Sequence, residues 1–181
     1  MKKSLRFFTL MVLMISFQTS VIAQKRDSAY VQTINNRAWK IVEKLNIDDQ
    51  QKAYSVRDII ANQYMNLNDI YNKRDADLKE LKNNKDLPKI KKDKAIQNIQ
   101  SVTQTRLNRL HKKYLNQLNK DLSSDQVIQV KDGMTYGVVP LTFKAYQEML
   151  PNLTQKQKEQ IYLWLVEARE YAMDAESSEK K

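Results

Sequence analysis

"KNNKDLP" (residues 82–88) separates two long stretches of helical periodicity, and its reading decides the fold. Asn83, Asn84 and Asp86 are turn formers, and Pro88 suits the first position of a new helix. Upstream, Val56, Ile60, Tyr64, Leu67, Ile70, Tyr71, Leu78 and Leu81 fall on one helical stripe. Downstream, Ile96, Ile99, Val102, Leu107, Leu110, Tyr114 and Leu118 form a second. Wound as α-helix, each stretch is about 50 Å long. Two rods of matched length joined by a short polar turn predict an antiparallel hairpin. Neither rod can bury its stripe alone, so the flanking segments must pack on them.

On the N-terminal side, Ala29, Tyr30, Ile34, Ala38, Ile41, Val42 and Leu45 predict a first helix over about 28–45, capped by Asp27 or Ser28. On the other side, "SSDQVIQV" (123–130) reads as a short helix. Both glycines of the chain follow it, in "KDGMTYGVVPLT" (131–142). Gly133 is expected to stop the short helix in a left-handed conformation, with Gly137 and Pro140 holding the next residues extended. "FKAYQEML" (143–150) returns to helix, and a last helix starts at Thr154, with Ile161, Trp164, Leu165, Ala168, Tyr171 and Ala172 on its apolar face. Trp39 is a candidate to meet Trp164 in the core. The expected fold is therefore all-α: a long antiparallel helical hairpin packed by an N-terminal helix and two C-terminal helices, one domain over 24–181.

Residues 1–23 read as a signal peptide. Lys2, Lys3 and Arg6 precede an apolar run from Phe7 to Phe17 that is too short to cross a bilayer, and Val21 and Ala23 stand at the −3 and −1 positions of a cleavage site. Export to the periplasm or outside the cell is expected, without stable membrane insertion. No cysteine is present, so disulfides play no part. The formal net charge of +10 includes the three cations of the leader, so the mature chain stays basic. Such a balance suits an acidic glycan or a membrane surface, or simply marks solvated faces; export argues against nucleic acid. Lys82, Lys85, Lys89, Lys91, Lys92 and Lys94 gather at the hairpin tip, where a docking site for acidic polysaccharide and a merely solvated turn are both open readings.

Little catalytic chemistry is on offer. His111 is the one histidine, set among cations in "RLHKKYL", which with the lack of cysteine rules out His/Cys metal clusters and Cys-His or Ser-His-Asp systems. Glycine-rich phosphate loops are missing too. Asp48/Asp49, Asp75/Asp77 and Glu167/Glu170 are carboxylate pairs of the kind glycoside cleavage needs, but also of the kind a solvated helix displays. A non-enzymatic protein with neither cofactor nor metal is expected.

Nine tyrosines and two tryptophans stand in a chain rich in Asn and Gln. Sugar rings stack their C–H faces on aromatics while amides, carboxylates and Arg bind the hydroxyls. Tyr136, Phe143, Tyr146 and Trp164 are the candidate stacking residues, with Asp132, Gln147 and Arg169 as hydroxyl partners. Core packing is the competing use of these aromatics, least so for Tyr136 in the irregular segment. Carbohydrate is thus the expected ligand, with a second copy of the chain (a homodimer) as a further partner.

"IDDQQ" (47–51), "LSSDQ" (122–126) and "LTQKQ" (153–157) each set an aliphatic residue before Asp, Ser or Thr, with Gln three positions on. Capping boxes have this form. So do the LTxxQ motifs of Spy/CpxP-type periplasmic chaperones, which the chain resembles there, and a chaperone or envelope-stress role with an exposed apolar face is the alternative function. Residues 130–181, with "DGMTYGVVP" and "WLVEAREYAMDA", resemble the C-terminal half of the secreted bacterial domain-of-unknown-function family 3826. That resemblance implies an exported helical protein and a carbohydrate ligand. It also implies a native chain continuing past Lys181 with an aromatic, glycine-containing tail.

Overall fold

A computed structural model describes residues 26–177; the expected signal peptide lies outside the described residues. Six helices follow one another: α1 (Ser28–Val42), α2 (Gln50–Asn83), α3 (Lys89–Asp121), α4 (Ser124–Met134), α5 (Val138–Met149) and α6 (Gln155–Met173). Among the described residues there is no strand, so the all-α class and the long hairpin of α2 and α3 are borne out. At its tip the Asn84 side chain accepts from the Asp86 N–H at 3.2 Å. Pro88 takes the N-cap of α3, where its missing N–H costs nothing.

The core lies at the open end of the hairpin. Ile34, Ala38 and Ile41 of α1 meet Val56, Ile60 and Tyr64 of α2, Tyr114 and Leu118 of α3, and Val127, Val130 and Met134 of α4. Between Leu67 and Leu107 no residue of the hairpin is buried. Over that distal length only two helices meet, so Ile70, Leu78, Ile96 and Ile99 stay half-buried.

Two of the three aliphatic-cap-Gln motifs form capping boxes, Ser123 with Gln126 and Thr154 with Gln157. In the third, Asp49 caps α2 by accepting from the N–H groups of Gln51 and Lys52. Gln126 has a further use: its Nε2 donates to the Leu45 carbonyl at 2.9 Å, tying the start of α4 to the α1–α2 link.

The glycine-bearing segment departs from expectation. Gly133 does not stop a helix; it lies inside α4, where a Cβ would come within 2.9 Å of Cγ1 and Cγ2 of Ile41. Its role is close approach of α4 to α1. The left-handed residues are Tyr136 (φ 57°) and Gly137 (φ 68°), and α5 starts directly at Val138 with Pro140 in its first turn, so nothing there is extended. A proline in a first turn loses no helical hydrogen bond. α1 is also shorter than expected, ending at Val42.

α6 turns a different face inward from the one its periodicity suggested. Arg169 and Met173 are its buried residues, whereas Trp164 is 61 % and Tyr171 73 % exposed. Polar contacts to α4, α3 and α2 orient this helix, so its apolar residues do not decide its inner face. Trp39 stacks on Tyr54, ring centroids 5.2 Å apart, and not on Trp164. None of the described helices is long and apolar enough to cross a membrane.

Candidate functional site

A groove of about 680 Å³ opens where α1, the end of α4 and the α4–α5 link converge. Arg37, Lys40 and Lys44 line it from α1, Gln129 and Asp132 from α4, Tyr64 from α2, and Tyr136 and Gly137 from the link. The close packing of Gly133 on Ile41 forms its floor.

Helix-end geometry explains how Tyr136 reaches the groove. The Gly137 N–H donates to the Asp132 carbonyl at 2.8 Å, the long closure that ends many helices, and Thr135 Oγ1 adds a bond of 2.9 Å to the Lys131 carbonyl. In that closure the residue just past the cap is left-handed and is commonly glycine. Here Tyr136 occupies it and glycine follows one place later. A side chain held left-handed costs about 1–2 kcal/mol. Tyr136 is 53 % exposed, so burial returns only part of that cost.

Charge in the groove is one-sided. Among the described residues no carboxylate lies within ion-pair distance of Lys40 or Lys44. The Arg37 guanidinium sits 5.6 Å from the centroid of the Tyr64 ring. Asp132, the one acid of the lining, accepts from Arg169 Nη1 at 2.7 Å. Burial pushes the Tyr64 phenol up to about 12, against the opposing pull of Arg37, so it stays a neutral donor.

Behind Arg169 a polar network ties α6 to the body. Lys131 Nζ donates to Glu170 at 2.8 and 3.0 Å. His111 Nδ1 meets Asp174 Oδ2 at 2.7 Å, and its Nε2 lies 3.7 Å from Glu170. Gln63 Nε2 donates to Asp174 Oδ1 at 3.3 Å and Tyr71 Oη to the Asp174 carbonyl at 2.6 Å. The hydrogen bond to Asp174 raises the His111 pKa against the opposing effect of burial. A second, smaller hollow of about 330 Å³ adjoins this network between His111, Asn108 and Tyr171.

The family described as a protein of unknown function, DUF3826, matches residues 31–181. The chain belongs to that family. No curated protein matches it. The matched span of this DUF3826 member takes in every residue of the groove and of the polar network.

The structure distributes the expected ligand residues over three places. Tyr136 and Asp132 line the groove. Arg169 stands behind it, 6 % exposed, with its Nη1 on Asp132 and its buried Nε without a partner among the described residues. Phe143, Tyr146, Gln147 and Trp164 belong to the α5–α6 pair and are absent from the groove lining. There Phe143 meets Tyr162 edge to face, centroids 5.3 Å apart, while Tyr146, Gln147 and Trp164 are exposed. Arg37, Lys40, Lys44 and Gln129 escaped the sequence reading, although the three cations share a helical face at i, i+3 and i+7. His111, read as a rim residue, is the link between α3 and α6.

Proposed function

We propose that this protein is an exported, non-enzymatic carbohydrate-binding protein that takes its ligand in the α1–α4 groove, with Tyr136 as the stacking residue. The reading is carried by Tyr136. A half-exposed aromatic held in the left-handed region, one residue before a glycine that would sit there without strain, is retained at a cost to the fold. Backbone strain that stability does not explain is common at ligand sites. Around it the groove offers what a sugar needs: an aromatic face, the Gln129 amide, the Tyr64 phenol and charged donors.

Tyr136→Gly separates the two effects. Expected is loss of oligosaccharide binding by titration calorimetry together with a Tm higher by about 2 °C, since relief of strain outweighs the small burial lost. Unchanged binding in this variant, or no binding of any oligosaccharide at millimolar concentration by the parent, overturns the proposal.

A second reading, a chaperone that holds unfolded clients, draws on the α5–α6 pair. Leu141, Met149, Leu163, Trp164 and Tyr171 are more than half exposed there, whereas along the hairpin exposed large apolar residues are sparse. Suppression of client aggregation that Leu163→Ser/Trp164→Ser abolishes and Tyr136→Gly spares would favour it.

A further inference from the structure

We infer that the groove selects an acidic carbohydrate, its carboxylate or sulfate ester seated in the arc of Arg37, Lys40 and Lys44. This rests on the carbohydrate reading above and adds the class of sugar.

Placement of the cations is the first argument. Arg37 and Lys40 are three apart and Lys40 and Lys44 four apart on α1, spacings at which like charges weaken a helix. All three line the groove, and among the described residues neither lysine has a carboxylate within ion-pair distance. A ligand anion would relieve that repulsion, whereas a neutral sugar would leave it in place.

The rest of the lining does not compete for the cations. Asp132 is engaged by Arg169, a pairing set by the α4–α6 contact. Tyr64 stays neutral because burial holds its phenol protonated, and Gln129 adds an uncharged donor. An anion entering here meets cations and dipolar donors in a concave, partly dry site, where each charge contact is worth more than in open water. The planar fork of Arg37 suits two oxygens of one carboxylate or sulfate, with the lysines as point charges beside it.

The hairpin tip is the other basic region, and it lacks these features. Lys82, Lys85, Lys89, Lys91 and Lys94 are exposed around a turn with no concave wall, so salt screens them. Acid recognition therefore belongs to the groove.

The test is titration calorimetry of the mature chain with matched pairs: an oligogalacturonate and its fully methyl-esterified form, and a sulfated galactan oligosaccharide and its desulfated form. Expected is at least about tenfold tighter binding of one acidic member than of its neutral counterpart, weakening as ionic strength rises from about 0.01 to about 0.15 M. Lys40→Gln/Lys44→Gln should lose about that factor with an unchanged circular dichroism spectrum, while Lys82→Gln/Lys85→Gln at the tip should lose none. Equal binding of acidic and neutral members overturns the acid selectivity and leaves the carbohydrate reading standing. No binding of any of the four overturns both. Inorganic sulfate binding as tightly as the acidic oligosaccharides overturns the inference in favour of a simple anion site.

Discussion

The body formed by α1, α4 and the open end of the hairpin, and the C-terminal pair α5–α6, are both helical, yet different forces seat them. In the body, Ile60, Leu118, Val130 and Met134 are fully or almost fully buried in one apolar cluster, with the Tyr114 hydroxyl donating to the Met134 sulfur at 3.1 Å. α6 is seated by Arg169 on Asp132, Lys131 on Glu170 and His111 on Asp174, with Met173 as its one apolar anchor in the core. Apolar burial is non-directional and follows the stripe of a helix. Ion pairs and hydrogen bonds are directional and set a helix by a few particular side chains. An apolar stripe therefore predicts the inner face in the first region and fails to predict it in the second.

The comparison is tested most severely at Leu118. Leu118→Ala should cost about 3 kcal/mol in urea unfolding, the range of a core truncation that leaves a cavity. A cost under about 1 kcal/mol would mean that the body is not a close-packed core.

Arg169→Met tests the other region, because it keeps the aliphatic stem and removes the charge. Expected is a loss of about 2 kcal/mol, below the range for breaking a fully buried pair because Asp132 and Glu170 remain partly wet. A double-mutant cycle with Asp132→Asn should return a coupling of about 1 kcal/mol. No coupling would show that the guanidinium is packed and not paired.

His111 supplies a dependence on pH whose sign is fixed. Its folded pKa is raised above the ordinary 6.5 by Asp174, so its contribution is complete below that value and is lost as pH rises through the folded pKa. Asp174 and Glu170 from α6 favour the charged ring, Lys131 from α4 opposes it, and the Tyr71 hydroxyl from α2 holds the Asp174 carbonyl close by. Amide exchange in α6, corrected for intrinsic rate, should therefore quicken from about pH 6 to about pH 8.5, and less so in α1. His111→Gln should flatten that difference; a slope that persists would place its origin elsewhere.

The smallest effect is expected at Trp164. Trp164→Ser should change stability by less than about 0.5 kcal/mol, as for other surface positions. A cost near the ~3–5 kcal/mol of a core tryptophan would restore the inward face that periodicity suggested.

What was legible before folding follows the same division. Val56, Ile60, Tyr64, Tyr114 and Leu118 were placed correctly because thousands of small contacts reward any helix that buries its stripe, and the polar turn before Pro88 leaves the chain one way to reverse. Tyr136 was singled out for lying in the one irregular segment, but the residue that meets α1 is Gly133 and the strain belongs to Tyr136 itself. Nothing local in "KDGMTYG" distinguishes a glycine needed for close approach from one needed for its dihedral angles. Arg37, Lys40 and Lys44 read as ordinary solvated cations until α4 and its link closed the other wall of the groove.

By itself, then, the order of residues determined the helices, their caps and the hairpin, because backbone hydrogen bonds and apolar spacing act over a few positions. The side of α6 that faces inward, the closeness of α4 to α1 and the gathering of three cations opposite Tyr136 were decided by the tertiary structure. Each depends on groups far apart in the chain, such as Arg169 with Asp132 and His111 with Asp174, whose interaction exists only once the helices are packed.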